Sequence, residues 1–155
     1  MRSPTSIRVH DSQRKVRVAL RKLQAFAAAA LEIASAMKPR TGGVLPQLQQ
    51  VDVILVSDAR IAALHERFMN IAGPTDVITF QHGEIFISVE TAEANARRYR
   101  TTTDAELRLY IVHGLLHLLG LDDTTARGAR TMAKTQERIV ARAEAAMERC
   151  LRRLK

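Results

Sequence analysis

The sequence predicts an α+β fold: a small mixed sheet of about four strands packed against about five helices, with residues 1–155 forming one domain. Three observations lead there. Short β-branched runs alternate with longer stretches of helical hydrophobic spacing. The chain is long enough for one proper core and short for two. No internal repeat or low-complexity tract interrupts it.

In chain order, IRVH (7–10) alternates weakly and reads as an edge strand. From Val16 to Met37, apolar Val16, Leu20, Leu23, Ala27, Leu31 and Ala34 recur at three- and four-residue steps, the buried stripe of an amphipathic helix. PRTGGVLP (39–46) ends that helix, since its prolines and glycines cannot continue it. VDVILVSD (51–58) has strand composition, and Ser57 or Asp58 caps a following helix whose Ile61, Leu64 and Phe68 share a face. Asn70 to Pro74 turns the chain into a strand at 75–81. His82-Gly83 then supplies a tight turn, and 84–90 returns as the second strand of a hairpin. Thr91 caps a helix over 92–99. TTTDAE (101–106), with Thr103 as a cap, precedes a long apolar helix to Leu119, and 126–150 form a basic amphipathic helix.

Composition narrows the function. Aromatics are sparse and tryptophan is absent, so the core rests on Leu, Ile, Val, Ala and Met. A lone cysteine, Cys150, excludes an internal disulfide framework and suits a reducing cytoplasm. No stretch reads as a membrane span; the alanine-rich segment at 25–37 carries Glu32 between basic borders. The N-terminus lacks a secretory signature, while its arginines leave organellar targeting open. The net charge of +8 is uneven: residues 1–50 carry +7, 51–123 carry −5 and 124–155 carry +6. Basic ends around a mildly acidic centre suit a polyanion such as nucleic acid, although two solvated basic helices give the same pattern.

HGLLHLLGLDD (113–123) carries the chemistry. Residues i and i+4 share a helix face, so His113 and His117 aim at one point. Gly120 stops the helix and reverses the chain, returning a carboxylate to the two rings. The spacing is that of the long zinc-protease motif, with aspartate in place of the third histidine. Two imidazoles and a carboxylate leave a fourth position for water, whose pKa a metal can lower from about 15.7 to about 7. The competing reading is two core histidines bonded to backbone carbonyls, but two such rings, a glycine stop and a carboxylate at ligand spacing favour metal. Zinc proteases place a glutamate base after the first histidine; Gly114 stands there, which weighs against a peptidase. A phosphodiester asks less of the protein. Glycine leaves room either for a bulky substrate or for close helix packing.

These residues resemble the signature of a bacterial ribosomal-RNA-maturation endoribonuclease family, commonly called YbeY, usually His-Gly-x-Leu-His-Leu-x-Gly-Tyr-Asp-His. GPTDVITF (73–80) and GEIFISVE (83–90) are similar to the family's second block, and the likeness runs in register from about Val51 through the final helix. The resemblance implies a single-strand-specific, metal-dependent endoribonuclease acting in 16S rRNA 3′-end maturation and ribosome quality control. Its expected partners are single-stranded RNA, the rRNA precursor and the small ribosomal subunit, with no membrane. It places one Zn2+ per chain on His113, His117 and Asp123. Here Asp123 replaces a histidine, Leu121 a tyrosine and Glu84 an aspartate. Met69 stands where the family has an arginine expected to hold phosphate; Arg60, Arg67, Arg97 or Arg98 are candidates to contact RNA instead. Among the rest, Asp122 reads as a turn residue rather than an orienter of a ligand histidine, Asp76 as structural, and His65 and His82 as surface residues. Arg8, Arg14, Lys15, Arg17, Arg21 and Lys22 form either an RNA-contacting stripe or a solvated face. The rival from another class is a ribosome-associated RNA-binding protein whose metal is structural.

Overall fold

The computed structural model describes residues 3–154. The elements run β1 (Ser6–Asp11), α1 (Leu20–Ser35), a 3-10 turn (Leu45–Gln47), β2 (Gln50–Val56), α2 (Asp58–Met69), β3 (Val77–Thr79), β4 (Glu84–Ser88), α3 (Val89–Tyr99), α4 (Thr103–Leu118) and α5 (Ala126–Arg153). The sheet order is β1-β2-β4-β3. β1, β2 and β4 are parallel, and β3 closes the sheet antiparallel to β4, pairing Ile78 with Phe86. The α+β class, the mixed four-stranded sheet, the edge position of β1 and the hairpin all match the sequence reading.

Strand alternation divides the core. Ile7 and Val9, Val51, Val53 and Leu55, and Ile85 and Ile87 pack with α1, α4 and α5 on one face. Val56 and Ile78 meet Ile61 of α2 on the other. The free edge of β1 is covered by Gln24 of α1. Its Oε1 accepts from the Val9 N–H at 2.7 Å and its Nε2 donates to the Ile7 carbonyl at 2.9 Å, as a neighbouring strand would.

The structure moves several boundaries. α1 begins at Leu20 rather than Val16, because the Gln13 amide binds the N–H groups of Lys15 and Val16 and the Val16 carbonyl, holding a non-helical turn. It ends at Ser35, not Met37. α3 begins at Val89 with Ser88 as its cap, accepting from Thr91 N–H at 3.1 Å; the Thr91 hydroxyl donates instead to Asp58 at 2.6 Å. Thr102, not Thr103, caps α4. Phe68 shares the α2 sequence stripe with Ile61, yet it is 56 % exposed.

Candidate metal centre

α4 is apolar almost all round, with Leu107, Ile111, Leu115 and Leu118 fully buried, so its position against the sheet is fixed by packing. Gly114 sets how close it lies. A Cβ there would sit 2.7 Å from the Ile85 Cδ1, so the residue after His113 faces β4 and serves close packing.

The helix stops as its sequence demands. Gly120 takes φ 92°, its N–H bonds the His117 carbonyl at 3.0 Å, and the Leu121 N–H bonds the Leu116 carbonyl at 3.0 Å. This is a Schellman close, which glycine permits because it has no Cβ. Two carbonyls left over at the helix end are taken by the loop after α1: Arg40 N–H reaches Leu119 O at 2.8 Å and Val44 N–H reaches Leu118 O at 2.7 Å. Gly43 is needed for that contact, since a Cβ would lie 2.4 Å from the Leu119 oxygen.

The reversal carries Asp123 back to both histidines. The two Nε2 atoms stand 3.1 Å apart, with Asp123 oxygens 3.6 Å from that of His113 and 3.9 Å from that of His117. A tetrahedral ion with bonds near 2.0–2.1 Å separates its ligands by about 3.3 Å, so these spacings need little closure. His113 Nδ1 donates to Gln136 Oε1 of α5 at 2.9 Å, because an amide oxygen only accepts; Nε2 therefore presents its lone pair. His117 is held below the usual imidazole pKa by burial and by His113, against the opposing pull of Asp123 and the Leu121 backbone. His117 is thus disposed to bind a cation as a neutral ligand, His113 turns its Nε2 to the same point, and the three side chains form a cluster able to hold a metal ion.

The cluster opens into a cleft of about 350 Å3 walled by Met69, Asp76, Val77, Ile78, Thr79 and Gln81. The Thr79 hydroxyl is buried there without a hydrogen-bond partner among the described residues. Asp76 binds the Val77 N–H at 2.8 Å. A larger cavity, about 620 Å3, lies elsewhere between β1 and α1, beside Leu45. It is lined by Ile7, Leu31 and Glu32 and holds no histidine or cysteine.

The other singled-out residues are dispersed. Asp122 forms a turn with Thr124, whose hydroxyl and N–H hold its carboxyl below the usual range. His65 bonds the Gly73 carbonyl, and His82 is exposed beside Glu84. Arg60, Arg67, Arg97 and Arg98 do not line the cleft: Arg97 pairs with Glu93, while Arg67 and Arg98 lie over Phe68 and Tyr99. Cys150 is exposed. Sequence reasoning missed Gln136; its signal is a polar residue between Met132 and Ile139 on the apolar face of α5.

Comparison with known proteins agrees with this picture. The family model described as Endoribonuclease YbeY matches residues 8–144. The chain is 38 % identical over 113 residues to the Endoribonuclease YbeY of Anaeromyxobacter sp. (strain Fw109-5), covering 66 % of this chain and 58 % of that protein. It is 36 % identical over 103 residues to that of Acholeplasma laidlawii, covering 61 % and 75 %. A Thermotoga maritima protein solved in solution superposes with a TM-score of 0.63 at 28 % identity over 88 % of each chain. The matched region runs from within β1 through the rest of the sheet and α4 into α5, and so includes His113, His117, Asp123 and Gln136; the chain belongs to the endoribonuclease YbeY family.

Proposed function

We propose that the protein is a metal-dependent, single-strand-specific endoribonuclease of 16S rRNA 3′-end maturation and ribosome quality control. One Zn2+ per chain is held by His113, His117 and Asp123. The observation that carries this reading is the convergence of one ligand atom from each residue within 4.8 Å at the floor of an open cleft. The Asp123 side chain is 44 % exposed and those of His113 and His117 are 24 % and 28 %. A structural zinc site is closed by four protein ligands; three with access to solvent suit catalysis and argue against the purely structural metal.

When bound, the ion supplies Lewis acidity and a nucleophile from water at neutral pH. The chain's own residues do the rest. Gln136 fixes the His113 ring, and the Schellman close fixes Asp123 relative to His117. β3 forms one wall, along which a single strand can lie with its scissile phosphate over the cluster. Gly114 offers no side chain at the position of the protease base and packs closely against Ile85, which supports a phosphodiester substrate over a peptide.

The proposed setting is the cytoplasm, with the rRNA precursor and small ribosomal subunit as partners. No helix among the described residues is long and apolar enough to cross a membrane. Metal analysis of purified protein should give one zinc per chain. An unstructured RNA oligomer should be cut by the wild type, and His117→Ala should abolish cleavage while RNA is still bound. Cleavage surviving that substitution, or chelator-sensitive casein hydrolysis, would overturn the proposal.

A further inference from the structure

The outer face of α5 carries most of the protein's excess charge. Arg127, Arg130, Lys134, Arg138, Arg142 and Arg149 are all exposed. At 3.6 residues per turn they fall within about 120° of the helix circumference and extend about 33 Å along its axis. Met132, Ile139, Ala143 and Met147 occupy the opposite side, against the core. Among the described residues none of the six cations is in an ion pair. Arg21 and Lys22 of α1 border a shallow cleft with Leu151 and Leu154, on a different face of α5 from the six cations.

We propose that this ridge is a docking surface for double-helical RNA, separate from the cleft that takes the single strand. The proposal rests on the RNA reading above but not on hydrolysis. Charge complementarity points to a polyanion, because a straight row of unpaired cations releases condensed counterions when it meets a phosphate backbone. The apolar face of α5 is committed to the core, so the helix cannot lie in a bilayer as a free amphipathic helix does. No aromatic side chain stands on the ridge, so it lacks the stacking platforms that grip unpaired bases. Duplex RNA is read by shape and phosphate contacts, which this surface can supply. Gln136 meets His113 from the side of α5 turned away from the ridge. A stem on the outer face therefore leaves the metal cleft free for an adjoining single strand.

The test is fluorescence anisotropy of the zinc-loaded protein with a blunt RNA duplex of about 16 base pairs, the span of a dedicated duplex-binding domain. The triple charge reversal Lys134→Glu, Arg138→Glu, Arg142→Glu should weaken duplex binding roughly tenfold or more and lower the salt slope by about three. Cleavage of a short unstructured oligomer should stay within about threefold of wild type, since the ridge is outside the cleft. Arg138→Gln, a neutral single change at an exposed position, should lower the slope by about one and decides the matter if the triple variant does not fold. Unchanged duplex affinity in Arg138→Gln and any folded triple variant overturns the proposal. So does equal loss for duplex and single strand, or displacement of the duplex by poly-glutamate or anionic vesicles at matched charge. Absence of oligomer cleavage by wild type would refute the nuclease reading alone; duplex binding would still report on the ridge.

Discussion

Gln136 Oε1 accepts the Nδ1 proton of His113 at 2.9 Å, joining two helices whose partners stand 23 residues apart in sequence. The bond selects the tautomer that points its lone pair at Asp123 and His117. Partners of this kind cost about 10–100-fold in metal affinity when removed. Gln136→Leu should weaken zinc binding by that factor in a chelator competition while the far-ultraviolet spectrum is unchanged. Affinity equal to wild type would mean that His113 is oriented by packing alone.

Gly114 carries a second expectation, opposite in sign to helix propensity. Alanine in a helix interior is ordinarily favoured over glycine by about 1 kcal/mol. Here the added Cβ meets Ile85 at 2.7–3.0 Å from three of its carbons. Overpacking typically costs about 1–3 kcal/mol, so Gly114→Ala should lower stability in urea, and Ile85→Val should recover part of the loss in the double variant. A stabilised Gly114→Ala would show that β4 yields without strain.

Gln24 guards the β1 edge with a pair of hydrogen bonds. Gln24→Ala should cost about 1–2 kcal/mol through the two backbone groups it leaves unpaired. It should also introduce concentration-dependent association, measurable by light scattering, because a bare strand edge pairs with another chain. A variant that remains monomeric at high concentration would refute the guarding role.

Tyr110 supplies a pH dependence. Burial first, then Glu106 and Asp76, push its phenol up to about 12, against a hydrogen bond from Asn95. The folded state thus keeps a proton that the unfolded chain releases above its ordinary value near 10. Between those values the unfolded state binds fewer protons, so stability falls as pH rises, and below that window the contribution is flat. In a Tyr99→Phe background the remaining tyrosine should ionise near pH 12 in absorbance. Ionisation near 10 in the folded protein would contradict the burial argument.

How far the sequence speaks for the structure depends on the range of the interaction. Element order was legible because Val53, Ile85 and their neighbours alternate between Gly- and Asn-bearing turns. His113, His117 and Asp123 were legible because helix geometry and one glycine bring them together within eleven residues. Caps were misplaced by one to three residues where several hydroxyls compete, as in Thr101 to Thr103 and Ser88 against Thr91; backbone angles, not residue type, decide there. Gln24, Gln136 and the grip of Gly43 on Leu119 join segments distant in sequence, and no local pattern announces them.

That grip has a consequence for how the centre is assembled. The ribosome delivers residues 40–44 long before Leu118, so the segment whose N–H groups receive the helix end is synthesised before either ring. A chain halted at Leu119 has both imidazoles and that segment but neither the chain reversal nor the carboxylate. Any cation the finished cluster can hold would find only two of its three protein ligands until residues 120–123 are added.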